Sequence, residues 1–195
     1  MAEITVTSSG ITNPSTTTRF YKGASGVRPP ASAGALPYER AEHTTGEYSN
    51  ASADDTSYAL KNTNYNYAGH ELEFKIPAVV LAGILTRIDF SVLAYGSDGY
   101  SVYGWRLYIK NLATGAWQYL TETTSSGYVT LSSAAESNLD DYIDANGRIC
   151  LLAISRSPMD GNGSGADLNI DYAFIKFTYT PGAAEESFRT RISFF

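Results

Sequence analysis

The stretch Trp105-Arg-Leu-Tyr-Ile-Lys-Asn-Leu-Ala-Thr-Gly-Ala-Trp-Gln-Tyr-Leu120 decides the fold class. Trp105, Leu107 and Ile109 alternate on one face, Asn111 to Gly115 supplies turn chemistry, and Trp117 and Tyr119 begin a second alternation. Period-two patterning in β-branched and aromatic residues, broken by a short loop with Asn and Gly, predicts a β-hairpin. Both Trp residues of the chain lie in it, and each buries a large apolar area. The hairpin is therefore expected at the centre of an all-β core.

The strand pattern extends from it in both directions. Upstream, Leu72, Phe74 and Ile76 alternate with Glu71, Glu73 and Lys75 until Pro77 ends the strand. Ile88, Phe90 and Val92 begin a strand that runs through Tyr95 to a turn at Gly96-Ser97-Asp98-Gly99. Ser57 to Leu60 is a weak strand, and Ala78 to Leu85 is an apolar connection under the sheet. Downstream, Tyr128 to Leu131 is a short strand, and Glu136 to Ile143 holds one helical turn before Asn146-Gly147. Arg148 to Ser155 is apolar almost throughout, so both its faces are expected to be covered. Leu168 to Thr180 is the longest strand, with Ile170, Tyr172, Phe174 and Lys176 on one face and Ile175, Phe177 and Tyr179 on the other. About eight short strands with turn signals between them predict a two-sheet antiparallel sandwich over residues 57–180.

Composition agrees with this class and removes several functions. Aromatic content is 13% and charged content only 17%, the balance of a β-rich protein with polar, uncharged surfaces. The net charge is −6 and no Lys/Arg cluster exists, so nucleic acid is not an expected partner. No apolar run approaches the ~20 residues of a membrane span, so no membrane partner is expected either. Met1-Ala-Glu-Ile-Thr-Val lacks the basic and apolar regions of a secretory signal, which points to a chain made and kept in the cytoplasm, or leaving inside a virion. Cys150, the single cysteine, lies in the apolar run Ile149 to Ile154 and reads as a small buried hydrophobe. One cysteine rules out an internal disulfide framework.

The two ends read differently from the middle. Residues 3–7 suit a short strand, but Ser8 to Thr56 is rich in Ser, Thr, Gly, Ala and Pro and has little apolar surface. It nevertheless carries Phe20, Tyr21, Leu36, Tyr38 and Tyr48, which a plain flexible linker lacks. Residues 1–56 are therefore read as an extended N-terminal arm that becomes ordered by lying on another surface. Residues 181–195 form a short C-terminal tail whose Phe188, Ile192, Phe194 and Phe195 make an apolar patch unless they dock. Arm and tail together predict contacts with neighbouring subunits and a homo-oligomer, a trimer by preference.

The series Asp54-Asp55-x-x-Tyr58, Phe74-Lys-Ile, Leu107-Tyr-Ile-Lys-Asn-x-x-Thr-Gly-x-Trp117, Tyr142-Ile-Asp-x-Asn-Gly147 and Leu168-x-Ile-Asp-Tyr172 resembles jelly-roll β-sandwiches of the carbohydrate-binding-module type. Such domains occur in secreted microbial proteins and as accessory domains of phage virions. The resemblance covers about residues 50 to 180, and its motifs are structural. With arm and tail outside it, it implies a non-enzymatic virion structural protein: a capsid decoration, minor capsid or tail component that binds other virion proteins such as the major capsid protein. The alternative it implies is a carbohydrate-binding or adhesion module, extracellular or at the cell surface.

Candidate chemistry is sparse. Asp160, Asn162, Ser164, Gly165 and Asp171 match the oxygen-ligand spacing of a calcium loop, with Asp at the position usually held by Glu. Strands flank that loop where a calcium hand needs helices, so a Gly-rich hairpin loop is the preferred reading and no cofactor is expected. Structural calcium, as the resemblance implies, is the alternative there or near Asp54 and Asp55. Asp140, Asp141 and Asp144 read as solvated or helix-terminal carboxylates, since a glycosidase needs two acids across a cleft. His43 and His70 have no Ser or Cys nucleophile beside them in a recognisable elbow. The chain reads as a non-enzyme. Tyr95, Tyr100 and Tyr103, at or beside predicted loops, are the candidate glycan-stacking residues, with Tyr65 and Tyr67 in similar settings.

Overall fold

Alternation in the sequence becomes two antiparallel sheets packed face to face. A computed structural model describes residues 1–15, 17–30, 36–55, 57–63, 65–98, 102–158 and 165–182. In chain order the strands are β1 (Ala2–Thr7), β2 (Arg19–Ser25), β3 (Tyr38–Glu42), β4 (Ala59–Thr63), β5 (Tyr67–Lys75) and β6 (Ile84–Ser97). There follow β7 (Trp105–Asn111), β8 (Ala116–Thr123), β9 (Val129–Ala135), β10 (Arg148–Ser155) and β11 (Ala166–Thr180). Two short helices, α1 (Thr45–Asn50) and α2 (Ala78–Leu81), and a 3-10 turn over Leu139–Tyr142 complete the elements. One sheet of five strands runs β1-β11-β6-β9, with β4 also on β11, and the other, of six, runs β3-β2-β5-β10-β7-β8. From β4 onward every connection except the β7–β8 hairpin crosses between sheets, as in a jelly roll.

The Trp105–Leu120 hairpin forms as read, with Trp105, Leu107 and Ile109 all buried between the sheets. Its position differs from expectation. β8 is an edge strand, and the middle of its sheet is held by β5 and β10. The two Trp side chains also part company: Trp105 enters the main core, whereas Trp117 joins a smaller cluster with Leu36, Tyr108, Leu152 and Ile154 on the outer face. That cluster explains the nearly continuous apolar run of β10. Ile149, Leu151 and Ala153 face the main core, and Leu152 and Ile154 face the satellite. On β11, the register slips between Ile170 and Tyr172. The extra residue turns Ile170 inward while Tyr172, Phe174 and Lys176 face outward, so the four do not share the face that strict alternation assigns them.

The described part of residues 1–56 belongs to the sandwich. β1 pairs along β11, β2 pairs along β5, and β3 pairs along β2. Phe20 and Tyr48 are 0% and 1% exposed within the main core, and Leu36 is 2% exposed in the satellite. Burying an aromatic or leucine of this size contributes about 1.5–3 kcal/mol each, enough to hold a segment poor in other apolar groups. The local chemistry supports this: Thr44 and Glu47 form a capping box that starts α1 and turns Tyr48 inward.

A buried chain of hydrogen bonds ties the two sheets together. His43 Nε2 lies 2.9 Å from His70 Nδ1, and His70 Nε2 lies 3.0 Å from the Leu168 carbonyl oxygen. The carbonyl only accepts, so His70 carries its proton on Nε2 and His43 donates from its own Nε2. Both rings are fully buried. Burial pushes His70 down to about 4, and burial together with neighbouring His70 and Lys22 holds His43 well below the ordinary imidazole range.

Two predictions follow from these contacts. The unfolded chain, with His near 6.5, takes up the proton more readily than the folded one. Stability is therefore full above about pH 6.5 and falls as pH drops towards 4, by about 3 kcal/mol for His70 alone. Urea midpoints measured from pH 7 to pH 4 check this against His70→Gln, whose slope over that window should be shallower; equal slopes would exclude the pair as the cause. Gly104 adopts φ +103°, and a Cβ there would lie 1.9 Å from the Thr123 carbonyl oxygen. Gly104→Ala should therefore lower stability by about 3 kcal/mol or more, read as a depressed thermal midpoint.

Candidate functional site

The outer face of the five-stranded sheet carries aromatic rings at one end. Along β6 the inward residues are Ile88, Phe90, Val92 and Ala94, so Tyr95 faces out. Tyr128, just before β9, and Tyr58, just before β4, face out in the same way. The Tyr95 and Tyr128 ring centroids are 5.7 Å apart and those of Tyr58 and Tyr128 are 6.2 Å apart, each pair tilted by about 40°. Tyr58 and Tyr128 remain 42% and 40% exposed, which is high for rings already packed on one another. Leu60, Tyr172 and Phe174 prolong the same face.

Polar groups lie under and beside the rings. Asn169, 9% exposed, is paired across the sheet with Tyr95 and Leu60, and its side chain lies beside the Tyr128 phenol. Burial, with smaller contributions from neighbouring Tyr58 and from Asp171, itself buried at the β11 bulge, pushes the Tyr128 phenol up to about 12. Asp167 accepts from Asn62 Nδ2 at 2.5 Å. The outward cations of β6 and β11, Arg87 and Lys176, sit at the far end, about 25 Å along the strands. The aromatic end of the face thus combines apolar ring surface, carboxylates and an amide, and suits a neutral ligand with hydroxyl groups.

The opposite outer face, on the six-stranded sheet, is charged. Glu71, 2% exposed, accepts the Leu36 N–H at 2.9 Å and Arg40 Nε at 2.7 Å, while the Arg40 guanidinium stacks 3.5 Å above the Tyr21 ring. Glu73, two residues on, keeps a 3.5 Å contact with Arg40, and burial pushes its carboxyl up against the pull of Arg40 and Arg148. Cys150 is half-buried beside it, its thiol raised well above the ordinary range by burial.

The residues singled out from the sequence fall into three groups. Phe20, Leu36 and Tyr48 are internal to this chain, Tyr21 lies under Arg40, and Tyr38 is 51% exposed. Tyr95 joins the aromatic face, whereas Tyr103, 37% exposed, sits in a separate bridge with Ser97. Tyr100, Asp160, Asn162, Ser164, Phe188, Ile192, Phe194 and Phe195 lie outside the described residues. Of the calcium set only Gly165 and Asp171 are described, and among the described residues no group of three His, Cys, Asp or Glu could hold a metal ion. Sequence reading missed Tyr58 and Tyr128 as partners of Tyr95. The available signal was that each falls on the outward phase of its own strand; which strands are neighbours is not written in that phase.

Residues 16–180 match the AF_1625_C family, described as an uncharacterized protein, C-terminal domain, and the chain belongs to that family. No curated protein matches the chain. Among solved structures, the K2 cleaved adhesin domain of Lys-gingipain is similar at 12% identity, over 91% of this chain and 99% of that one, with a TM-score of 0.39. The K1 cleaved adhesin domain of Lys-gingipain from Porphyromonas gingivalis W83 is similar at 10% identity, over 92% and 99%, with a TM-score of 0.35. A family 11 carbohydrate-binding module of a cellulosomal cellulase of Clostridium thermocellum is similar at 9% identity, over 92% and 89%, with a TM-score of 0.27. These similarities are too distant to carry a function.

Proposed function

We propose that this protein is a non-enzymatic carbohydrate-binding or adhesion module that acts outside the cell or at its surface. The observation that carries the reading is the group Tyr58, Tyr95 and Tyr128, exposed on one sheet face with ring centroids 5.7 and 6.2 Å apart. The C–H face of a pyranose is apolar and flat, and an exposed aromatic ring offers it a matching surface at little conformational cost. Asn169 and Asp171 supply the polar groups that would fix hydroxyl orientation. A neutral glycan is favoured over an acidic one, because Asp167 and Asp171 lie at this end of the face and its cations at the other.

Assembly in a virion has less support. That expectation rested in part on an arm free to lie on a neighbouring subunit, and Phe20, Leu36 and Tyr48 are spent on this chain's own core.

Glycan screening followed by calorimetry on the best neutral oligosaccharide tests the proposal. Tyr128→Ala should weaken binding at least tenfold, about 1.4 kcal/mol or more, with the thermal midpoint nearly unchanged. Ionisation of Tyr128 should not weaken binding up to about pH 10, since burial keeps its phenol protonated there. Failure to bind any neutral glycan would sink the idea. Self-association that Tyr128→Ala abolishes would instead make the face a protein contact.

A further inference from the structure

On the outer face of the six-stranded sheet, Cys150 of β10 pairs across to Glu73 of β5. On its other side, one step beyond the Leu151–Ile109 pair, stands Lys110 of β7. Cys150 is short and both neighbours are long, so the surface is hollow between them. The hollow is a cavity of about 90 Å³, lined by Glu73, Lys110, Cys150, Arg148, Tyr142 and Asp144 among others. It has room for about three waters or more, or a molecule of about five non-hydrogen atoms.

The charges on its walls are unevenly satisfied. Glu71 is held by Leu36 and Arg40, and Asp144 accepts the N–H groups of Asn146 and Arg148 at 2.8 Å each. Among the described residues Glu73 keeps only the 3.5 Å contact of one oxygen with Arg40. Lys110 makes no ion pair or hydrogen bond among the described residues, its ammonium resting 5.9 Å from the Trp117 ring centre. Glu73 and Lys110 thus line one small cavity from opposite sides without pairing with each other.

We infer that this recess binds a small zwitterion, with the ammonium of a free α-amino acid against Glu73 and its carboxylate against Lys110. A simple anion meets the Glu71–Glu73 wall, and a simple cation meets Arg40, Lys110 and Arg148. Only an occupant with both charges, in the reverse order, is matched on both sides. Its side chain must be small, since the volume is taken up by the amino-acid backbone itself. The inference stands apart from the glycan reading, because the recess and the tyrosines are on opposite sheets.

The test is a titration of the full ¹⁵N-labelled chain with glycine and with alanine, followed by amide shifts, with glycerol, acetate and methylammonium as comparisons. Saturable shifts at Glu73, Lys110 and Cys150 are expected for glycine and alanine, with each comparison compound at least tenfold weaker. Glu73→Gln and Lys110→Met should each weaken glycine at least tenfold while leaving distant amides and the thermal midpoint in place. Tyr128→Ala should change nothing here. The proposal is overturned if glycine gives no saturable shift, if glycerol or acetate binds as tightly, or if Lys110→Met leaves glycine affinity intact.

Discussion

The contact on which most else depends is the buried imidazole pair. His43 follows β3, His70 lies in β5 of the same sheet, and Leu168 belongs to β11 of the other. One hydrogen-bonded line therefore fixes the spacing between the sheets and the path of the chain leaving β3. Burial holds both rings neutral, and the line then places the donated protons on defined nitrogens. The rings of Phe20 and Tyr48 close around His43 at 6.0 and 5.5 Å, so no water route to the pair is needed for its hydrogen bonds. Removing the Ser- and Thr-rich first quarter of the chain would remove half of this line, which is why that segment is structural despite its composition.

Legibility in the sequence followed local chemistry. The hairpin at Asn111 to Gly115, the strand ended by Pro77 and the doubly buried β10 all announce themselves within a few residues, and the structure contains each. The two-sheet sandwich was legible for the same reason. The segment 1–56 was harder, because Phe20, Leu36 and Tyr48 are diluted among small polar residues and their partners are remote. Phe74 and Gly69 stand more than thirty positions from Phe20 and Leu36 respectively. Composition averages over a window, whereas burial is decided by a few anchors.

The candidate site was legible only in part. Tyr95 could be picked out as an aromatic near a loop, but Tyr58 and Tyr128 become its neighbours only once β4, β11, β6 and β9 are set side by side. The slip at Asp171 adds a second obstacle, since one extra residue reverses the facing of everything after it and no residue type marks it. The charged recess was invisible for a similar reason. Glu73, Cys150 and Lys110 come from three strands, and the hollow arises from the contrast in their lengths.

β11 is flanked on one edge by β4 and β1, laid end to end, and on the other by β6. Between β4 and β1, Ser52 bridges Tyr172 and Ser8 exchanges hydrogen bonds with Ala173. Every partner of this strand is therefore made before it during synthesis. Until residues 166–180 leave the ribosome, β6 has only β9 beside it in the sheet, and β1 and β4 have no strand to pair with. Such long-range closure makes folding slow relative to helical proteins and leaves a hydrophobic strand exposed for the interval, the circumstance in which chaperones engage nascent chains.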